Sequence, residues 1–380
     1  MRILIVTGIF EPESGGPAIY APKIAGKLAG AGHQVSVLTY SSKSHYGFDA
    51  QYGFTLKRIV RGNKSLNRAK MFFAVLSQAR SCDLVYTLDW FAAGLPAALA
   101  SKLRGIPYVV RVGGDYLWEQ KYLESGQKPI TLVDFYEKRI YRWWRYRIFF
   151  WLIKLTLNGA SHVAFNSDRQ GELYEKYYGL TKTSTICNPV PSTVVLSRDD
   201  LPERKEFVFW GRFIVMKNLT TLVRAFAKAR LPSGYTLKFI GDGPRKREIQ
   251  SLVSKLGIKD RVNIMDTMLR GDAWDEVKNS RALVIPSWTD ISPNIVYEAL
   301  AMGLPALVTK ENYLSIRNQL PEMVDPNSID DISAKLEMLA DDKKYRAFAG
   351  AFRAILFQNT WDDVVREHLT IFNNILNQKN

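Results

Sequence analysis

The chain has 380 residues, of which 47% are hydrophobic and 23% charged, and its net charge is +15. This length predicts two domains, because a domain typically holds about 100 to 200 residues, and the composition excludes a disordered chain. Cys82 and Cys187 have no CxxC spacing, which argues against a disulfide framework or a zinc site and fits a reducing cytoplasm. The N-terminal run MRILIVTGIF follows a strand pattern without the cleavage site of a signal peptide.

Strand-like runs alternate with helical segments along most of the chain. The first series is predicted at residues 2–7, 34–40, 54–60, 83–88, 108–112 and 162–166, and the second at 207–211, 237–241, 262–266, 282–286 and 305–309. This alternation is typical of parallel sheets with helices on both faces. The turn-rich stretch 186–196 predicts a linker. We therefore expect an α/β protein with two doubly wound, Rossmann-like domains, residues 1–190 and 191–358, that face each other across a ligand-binding cleft.

The positive charge is concentrated in residues 134–158, where six basic residues are interleaved with nine aromatic ones. As a single helix, the segment would align the apolar residues Ile140, Trp144, Ile148, Trp151 and Leu155 on one stripe. Such a composition is typical of a helix in a lipid headgroup layer, and a core helix with solvated arginines is the alternative. The interleaved apolar residues argue against nucleic acid, and the apolar stretch 148–153 is too short to span a membrane. The residues predicted to meet an anionic membrane or its acceptor are Lys138, Arg142, Trp144, Arg145 and Trp151.

Two loops carry residues suited to a phosphorylated ligand. Gly15 and Gly16 precede Pro17 after the first strand, where glycines allow close approach of a ligand, although a simple tight turn explains them too. No GxGxxG fingerprint follows this strand, which argues against a dehydrogenase. Arg212 and Lys217 follow the apolar run FVFWG. The planar, forked guanidinium of the arginine and the point charge of the lysine suit the oxygens of a diphosphate.

The segment from Asp290 to Glu298 is the strongest candidate for a binding site. Ser292 is a natural N-cap and Pro293 a natural first helical residue, so the amides of residues 294 and 295 would be free to meet an anion. Glu298 could accept hydrogen bonds from two ribose hydroxyls, and Asp290 from a sugar. A capped helix with a solvated glutamate is the alternative. The predicted donor-binding set is Gly15, Gly16, Gly211, Arg212, Lys217, Asp290, Ser292, Pro293, Asn294, Ile295 and Glu298.

Over nearly its whole length the chain resembles the retaining GT-B glycosyltransferases of family 4. In that family a Gly-Gly loop follows the first strand, a G-R-x(4)-K pattern holds the donor diphosphate, and an E-x(7)-E motif binds donor sugar and ribose. The matching positions here are Gly15 and Gly16, Arg212 and Lys217, and Asp290 with Glu298, and the sequences GDGP (241–244) and EALAMGLP (298–305) are also similar to the family. The resemblance implies that a C-terminal helix, within residues 359–380, crosses back onto the first domain.

The chain departs from the family pattern at two positions. Asp290 replaces the usual glutamate, and Gly113 stands where many members have a histidine, which leaves Asp115 as the nearest polar candidate. The resemblance implies catalysis by Arg212, Lys217, Asp290 and Asp115, without cofactor or metal and with retention of anomeric configuration.

The expected donor is a nucleotide-diphosphate sugar with UDP or GDP, and the expected acceptor is a glycan or a polyprenyl-linked glycan. The protein is expected in the cytoplasm, peripheral to the inner face of the cell membrane. The alternatives are a nucleotide-sugar epimerase of the same fold and a non-catalytic binding protein. The base, the sugar, the acceptor and the linkage stay open.

Overall fold

The structure is a computed structural model that describes residues 1–13, 15–190 and 204–378. The chain divides into two compact units. Unit 1 comprises Met1–Leu117, Tyr136–Pro189 and Asn359–Asn380, and unit 2 comprises Trp118–Phe135 and Val190–Gln358. The predicted linker, 186–196, lies mainly outside the described residues.

Each unit contains one sheet in which all strands are parallel. The order in unit 1 is β3-β2-β1-β4-β5-β6-β7, and the order in unit 2 is β10-β9-β8-β11-β12-β13. The strands are β1 (Arg2–Thr7), β2 (Gln34–Ser41), β3 (Thr55–Val60), β4 (Leu84–Thr87), β5 (Tyr108–Val112), β6 (His162–Phe165), β7 (Thr183–Thr185), β8 (Glu206–Trp210), β9 (Thr236–Ile240), β10 (Val262–Met265), β11 (Ala282–Ile285), β12 (Ala306–Thr309) and β13 (Met323–Val324).

Helices connect most of these strands. They are α1 (Gly16–Gly30), α2 (Lys64–Gln78), α3 (Gly94–Arg104), α4 (Leu132–Glu137), α5 (Trp144–Asn158), α6 (Asp168–Tyr178), α7 (Leu219–Lys228), α8 (Lys246–Lys255), α9 (Arg270–Val277), α10 (Asn294–Ala301), α11 (Ile329–Ala340), α12 (Asp342–Arg353) and α13 (Trp361–Asn377). Local signals account for several helix starts: Ser167 caps α6 through the amide of Gln170, and Thr360 forms a capping box with Asp363 at α13.

The cores follow from the apolar strands, which are buried because helices cover both faces of a parallel sheet. In unit 1, Ile5 and Tyr86 of the sheet pack in one cluster with Leu28 of α1 and with Val364 and Phe372 of α13. In unit 2, the strands β8, β9 and β11 supply a separate cluster with α7, α11 and α12. Each unit therefore has a core of its own.

The predicted fold of two Rossmann-like sheets is confirmed. Both bounds of every predicted strand lie within one residue of the bounds of the corresponding observed strand. The short strands β7 and β13 were not predicted, because two or three residues give no periodic signal.

The prediction of one helix over 134–158 is wrong. Helix α4 ends at Glu137, Arg139 has a left-handed backbone with φ of 54°, and α5 begins only at Trp144. The left-handed residue cannot continue a right-handed helix, so the chain turns there. Of the predicted apolar stripe, Ile140 directly follows the turn and is buried, and the other four members lie on α5. Among the described residues, no helix is both long and apolar enough to cross a membrane.

Candidate functional site

The loop after β8 carries Arg212 at the carboxyl end of the strand. Its backbone is packed against the loop after β9: a Cβ atom on Gly241, whose φ is +145°, would lie 2.0 Å from the carbonyl oxygen of Gly211. The amide of Phe213 also donates to the carbonyl oxygen of Asp242 at 2.9 Å. Within the described ranges, the exposed Arg212 side chain has no hydrogen-bond or ion-pair partner. Its guanidinium is therefore available to a ligand.

Lys217 and Asp290, 73 residues apart, form an ion pair. The Nζ atom of Lys217 lies 2.7 Å from Oδ2 of Asp290, and the hydroxyl of Ser287 donates to the same oxygen at 2.9 Å. The lysine side chain is 16% exposed and the aspartate 3%. Strands β8 and β11 are neighbours, so the loops that follow them meet at the same edge of the sheet. The structure thus brings together two residues that the sequence placed in one site.

The loop that carries Asp290 is held on both sides by backbone hydrogen bonds. The amide of Asp290 donates to Glu311 O and its carbonyl accepts from Tyr313 N, each at 2.9 Å. The amide of Trp288 donates to Met216 O of the β8 loop, also at 2.9 Å. The Lys217–Asp290 pair therefore sits on a backbone that is fixed before any ligand binds.

The start of α10 differs from the prediction. The N-cap position is Pro293 instead of Ser292, and no side chain caps the helix. The amide of Asn294 donates to Ser292 O at 2.8 Å, so it is not free as predicted. The shift by one residue follows from the Pro293 backbone, whose ψ of 69° lies outside the helical range.

Glu298 lies in the second turn of α10, buried between two side chains of α9. Arg270 bonds one of its carboxylate oxygens, and the indole Nε1 of Trp274 donates to the other at 3.2 Å. Burial raises the pKa of Glu298, and the charge of Arg270 partly opposes this shift. Sequence reasoning missed Arg270 and Trp274. Their spacing of four on a helix after β10 was a signal, because residues four apart share a helix face.

The glycine loop of unit 1 is braced by Arg61, the residue that follows β3. Gly15 has φ of +148° and precedes α1, which begins at Gly16. The Arg61 guanidinium donates to Gly8 O at 3.0 Å and to the carboxylate of Glu13 at 2.8 Å. The described part of this loop therefore has a defined path, and its contact with a donor stays a prediction.

Asp115 is fully buried within a tyrosine cluster of unit 1. Its carboxylate accepts hydrogen bonds from Tyr136 and Tyr174, each at 2.7 Å, and Tyr136 lies 2.9 Å from the hydroxyl of Tyr178. A carboxylate with no exposed surface is better suited to positioning than to contact with a substrate. Gly113, by contrast, is exposed.

The aromatic helix α5 presents an apolar stripe to solvent. Trp144 is 84% exposed and Trp151 57%, with Ile148 between them, whereas Tyr146 and Ile153 on the opposite face are buried. The core-helix alternative would have buried this stripe. Neighbouring α3 adds the exposed Leu99 and Leu103, which sequence reasoning missed because α3 has no aromatic residues. Exposed basic residues flank the stripe: Lys102, Lys138, Arg142, Arg145, Arg147 and Lys154.

The predicted site residues thus fall into separate groups. Unit 2 holds the loop residues around Arg212, Lys217, Asp290 and Glu298, and unit 1 holds the glycine loop, Asp115 and the α5 face. The part of the chain that the structure describes has no group of three or more His, Cys, Asp or Glu residues placed to hold a metal ion.

Two protein-family models match the chain. Residues 15–189 match the glycosyl transferase 4-like domain, and residues 198–351 match glycosyl transferases group 1.

Curated relatives align over almost the whole chain. The chain is 24% identical over 392 residues to a GDP-mannose-dependent alpha-(1-6)-phosphatidylinositol monomannoside mannosyltransferase of Mycobacterium tuberculosis, covering 95% of each chain. It is 22% identical over 374 residues to a D-inositol 3-phosphate glycosyltransferase of Pseudarthrobacter chlorophenolicus, covering 92% of this chain and 87% of the relative.

Among solved structures, the fold is similar to that of HepE of Anabaena in complex with UDP and glucose. The TM-score is 0.75 at 16% identity, with 98% of this chain and 100% of that chain covered.

Proposed function

Since the chain belongs to the family 4-like glycosyltransferases of the GT-B fold, we propose that it transfers a sugar from a nucleotide-diphosphate sugar to a glycan or lipid-linked acceptor, with retention of anomeric configuration. We place it as a peripheral protein on the inner face of the cell membrane, in polysaccharide or glycolipid synthesis. The observation that carries the proposal is the Lys217–Asp290 pair at the carboxyl edge of the unit 2 sheet, with Arg212 on the same loop as Lys217 and without a side-chain partner among the described residues.

The donor diphosphate is bound by Arg212 and Lys217. Arg212 offers a planar fork for two phosphate oxygens, and Lys217 offers a point charge that Asp290 already orients. Glu298 accepts hydrogen bonds from the ribose hydroxyls, with its own position set by Arg270 and Trp274. Asp290 faces the sugar end of the donor. UDP or GDP is the expected nucleotide.

Transfer needs no side-chain nucleophile. As the bond between the anomeric carbon and the diphosphate oxygen breaks, the two cations stabilise the negative charge that develops on the leaving group. The acceptor hydroxyl attacks the same face of the sugar, and the departing diphosphate takes its proton. The two cations replace a metal ion in this scheme, so activity is expected to persist in EDTA.

Product analysis tests this scheme. The protein is incubated with UDP- and GDP-sugars and a lipid-linked glycan fraction, and products are identified by mass spectrometry, with the anomeric configuration read by NMR. A glycosylated acceptor with the configuration of the donor is expected. A rearranged free sugar without any acceptor product would indicate the epimerase alternative, and an inverted product would refute the same-face step.

The α5 stripe and its basic flank support contact with anionic lipid. The exposed indoles of Trp144 and Trp151 are suited to the interface, and Leu103 extends the apolar area. No ion-pair partner for Arg145, Arg147 or Lys154 is found among the described residues. Each basic side chain near an anionic surface contributes about 1 kcal/mol of attraction.

Flotation with vesicles tests the membrane contact. The protein is expected to float with vesicles that contain phosphatidylglycerol and to remain behind with pure phosphatidylcholine. Trp144→Ser with Trp151→Ser should abolish flotation. The matched control is Leu356→Ser in unit 2, which removes a side chain as exposed as Trp144 (84% each) and should float normally. Equal flotation of the double variant would argue for a soluble acceptor.

A further inference from the structure

A segment of the chain leaves unit 1 after Leu117, packs within unit 2 and returns at Tyr136. We call Trp118–Phe135 the crossing segment. Two hydrogen bonds within the segment hold its chain together. The Trp118 indole donates to Ile130 O at 3.0 Å, and the Tyr122 hydroxyl donates to Lys128 O at 2.8 Å. Trp118 is fully buried. The crossing segment is therefore a packed element of unit 2.

The crossing segment touches both loops of the candidate donor site. The amide of Leu132 donates to the Thr289 hydroxyl at 2.9 Å, and that hydroxyl donates to the carbonyl of Trp288 at 2.9 Å. Both Leu132 and Thr289 are fully buried. The turn Leu123–Ser125 also lies against the turn Val215–Lys217. The segment thus contacts the turn that ends in Lys217 and the residue that precedes Asp290.

The chemistry of this contact needs a hydroxyl. A buried backbone amide requires an acceptor, and here the Thr289 oxygen supplies it, while the hydroxyl proton satisfies the carbonyl of the half-buried Trp288. Serine could do the same, whereas valine has the same shape but neither function. Loss of the bond would leave the Leu132 amide unpaired next to Asp290.

We propose that Thr289 is a positioning residue, which ties the crossing segment to the Asp290 loop and so fixes the carboxylate that faces the donor sugar. This inference rests on the proposed function. Thr289 acts through Asp290 and does not itself touch the diphosphate, which is bound by Arg212 and Lys217. The sugar end of the donor should therefore depend on Thr289 more strongly than the nucleotide end, which Asp290 affects only through its ion pair with Lys217.

Calorimetric titration separates the two ends. Wild type, Thr289→Val and Thr289→Ser are titrated with UDP and UDP-glucose, and with GDP and GDP-mannose. We expect the valine variant to bind the nucleoside diphosphate within about threefold of wild type, and to lose roughly tenfold in affinity for the sugar nucleotide that wild type prefers. The serine variant should regain most of this loss. If the valine variant does not fold, Thr289→Cys, which keeps a weak acceptor, should give a smaller loss of the same kind.

The outcomes distinguish this inference from the proposed function. If wild type binds a sugar nucleotide and the valine variant binds it with the same affinity, the positioning role alone is overturned. Equal losses for diphosphate and sugar nucleotide, unrelieved by serine, would indicate general damage to the site and also overturn it. A wild type that binds none of the four probes would overturn the proposed function, and the inference with it.

Discussion

Replacement of Arg212 by alanine should weaken nucleotide binding without loss of stability. The side chain is exposed and has no partner among the described residues, so its truncation removes no contact of the folded state. The free energy of unfolding should change by less than about 0.5 kcal/mol. A hydrogen bond to a charged group contributes about 1.5 to 3 kcal/mol. Loss of this bond should therefore reduce the affinity for the nucleoside diphosphate by roughly 10- to 150-fold.

Two measurements check this pair of expectations on the same samples. Urea denaturation gives the free energy of unfolding, and calorimetric titration gives the dissociation constant for UDP or GDP. Arg224→Ala is the matched control, because Arg224 is also an exposed arginine of unit 2 but lies on α7. It should leave both quantities unchanged. Wild-type affinity in Arg212→Ala would refute the diphosphate role, and a large loss of stability would refute the view that Arg212 has no structural role.

Three further outcomes are expected. Lys217→Met should lower the free energy of unfolding by about 3 kcal/mol, because it leaves the buried carboxylate of Asp290 without its cation. In urea denaturation, the double variant with Asp290→Asn should regain part of this lost stability. Burial lowers the pKa of His368 to about 3, so below pH 6.5 the unfolded chain binds a proton that the folded chain does not. The free energy of unfolding should therefore fall by about 1 kcal/mol from pH 6.5 to 5.5. Thermal denaturation of His368→Gln should show a weaker dependence on pH. Gly241→Ala should lower the melting temperature markedly because its Cβ would overlap a backbone carbonyl, whereas Gly271→Ala, with open space around it, should not.

Much of the fold could be predicted because parallel strands are buried on both faces and appear in the sequence as short apolar runs. The turn between α4 and α5 could not be predicted. Arg139 adopts a left-handed backbone that is uncommon for a residue with a side chain, and nothing in its neighbours marks it. The aromatic composition of α5 indicated a lipid-facing helix, but only the structure shows which side of that helix is buried.

The candidate site was predictable to the extent that its residues follow strand ends. Lys217 and Asp290 met this condition, and the structure pairs them. Arg270 was not predicted, because a helical arginine is common and its partner lies far along the chain. The sequence places Thr289 beside Asp290, where the pocket shape is set, but does not predict its partner. The pairing of Thr289 with Leu132 spans 157 residues. Such a contact depends on the tertiary path of the chain, which local spacing does not encode.

Helix α13 completes the core of unit 1 although it follows unit 2 in the chain. Val364 and Phe372 pack with the first strands, and His368 meets the Tyr86 hydroxyl at 2.6 Å. During synthesis, all of unit 2 leaves the ribosome before these side chains are available. The core of unit 1 can therefore be completed only after the whole of unit 2 has been synthesised.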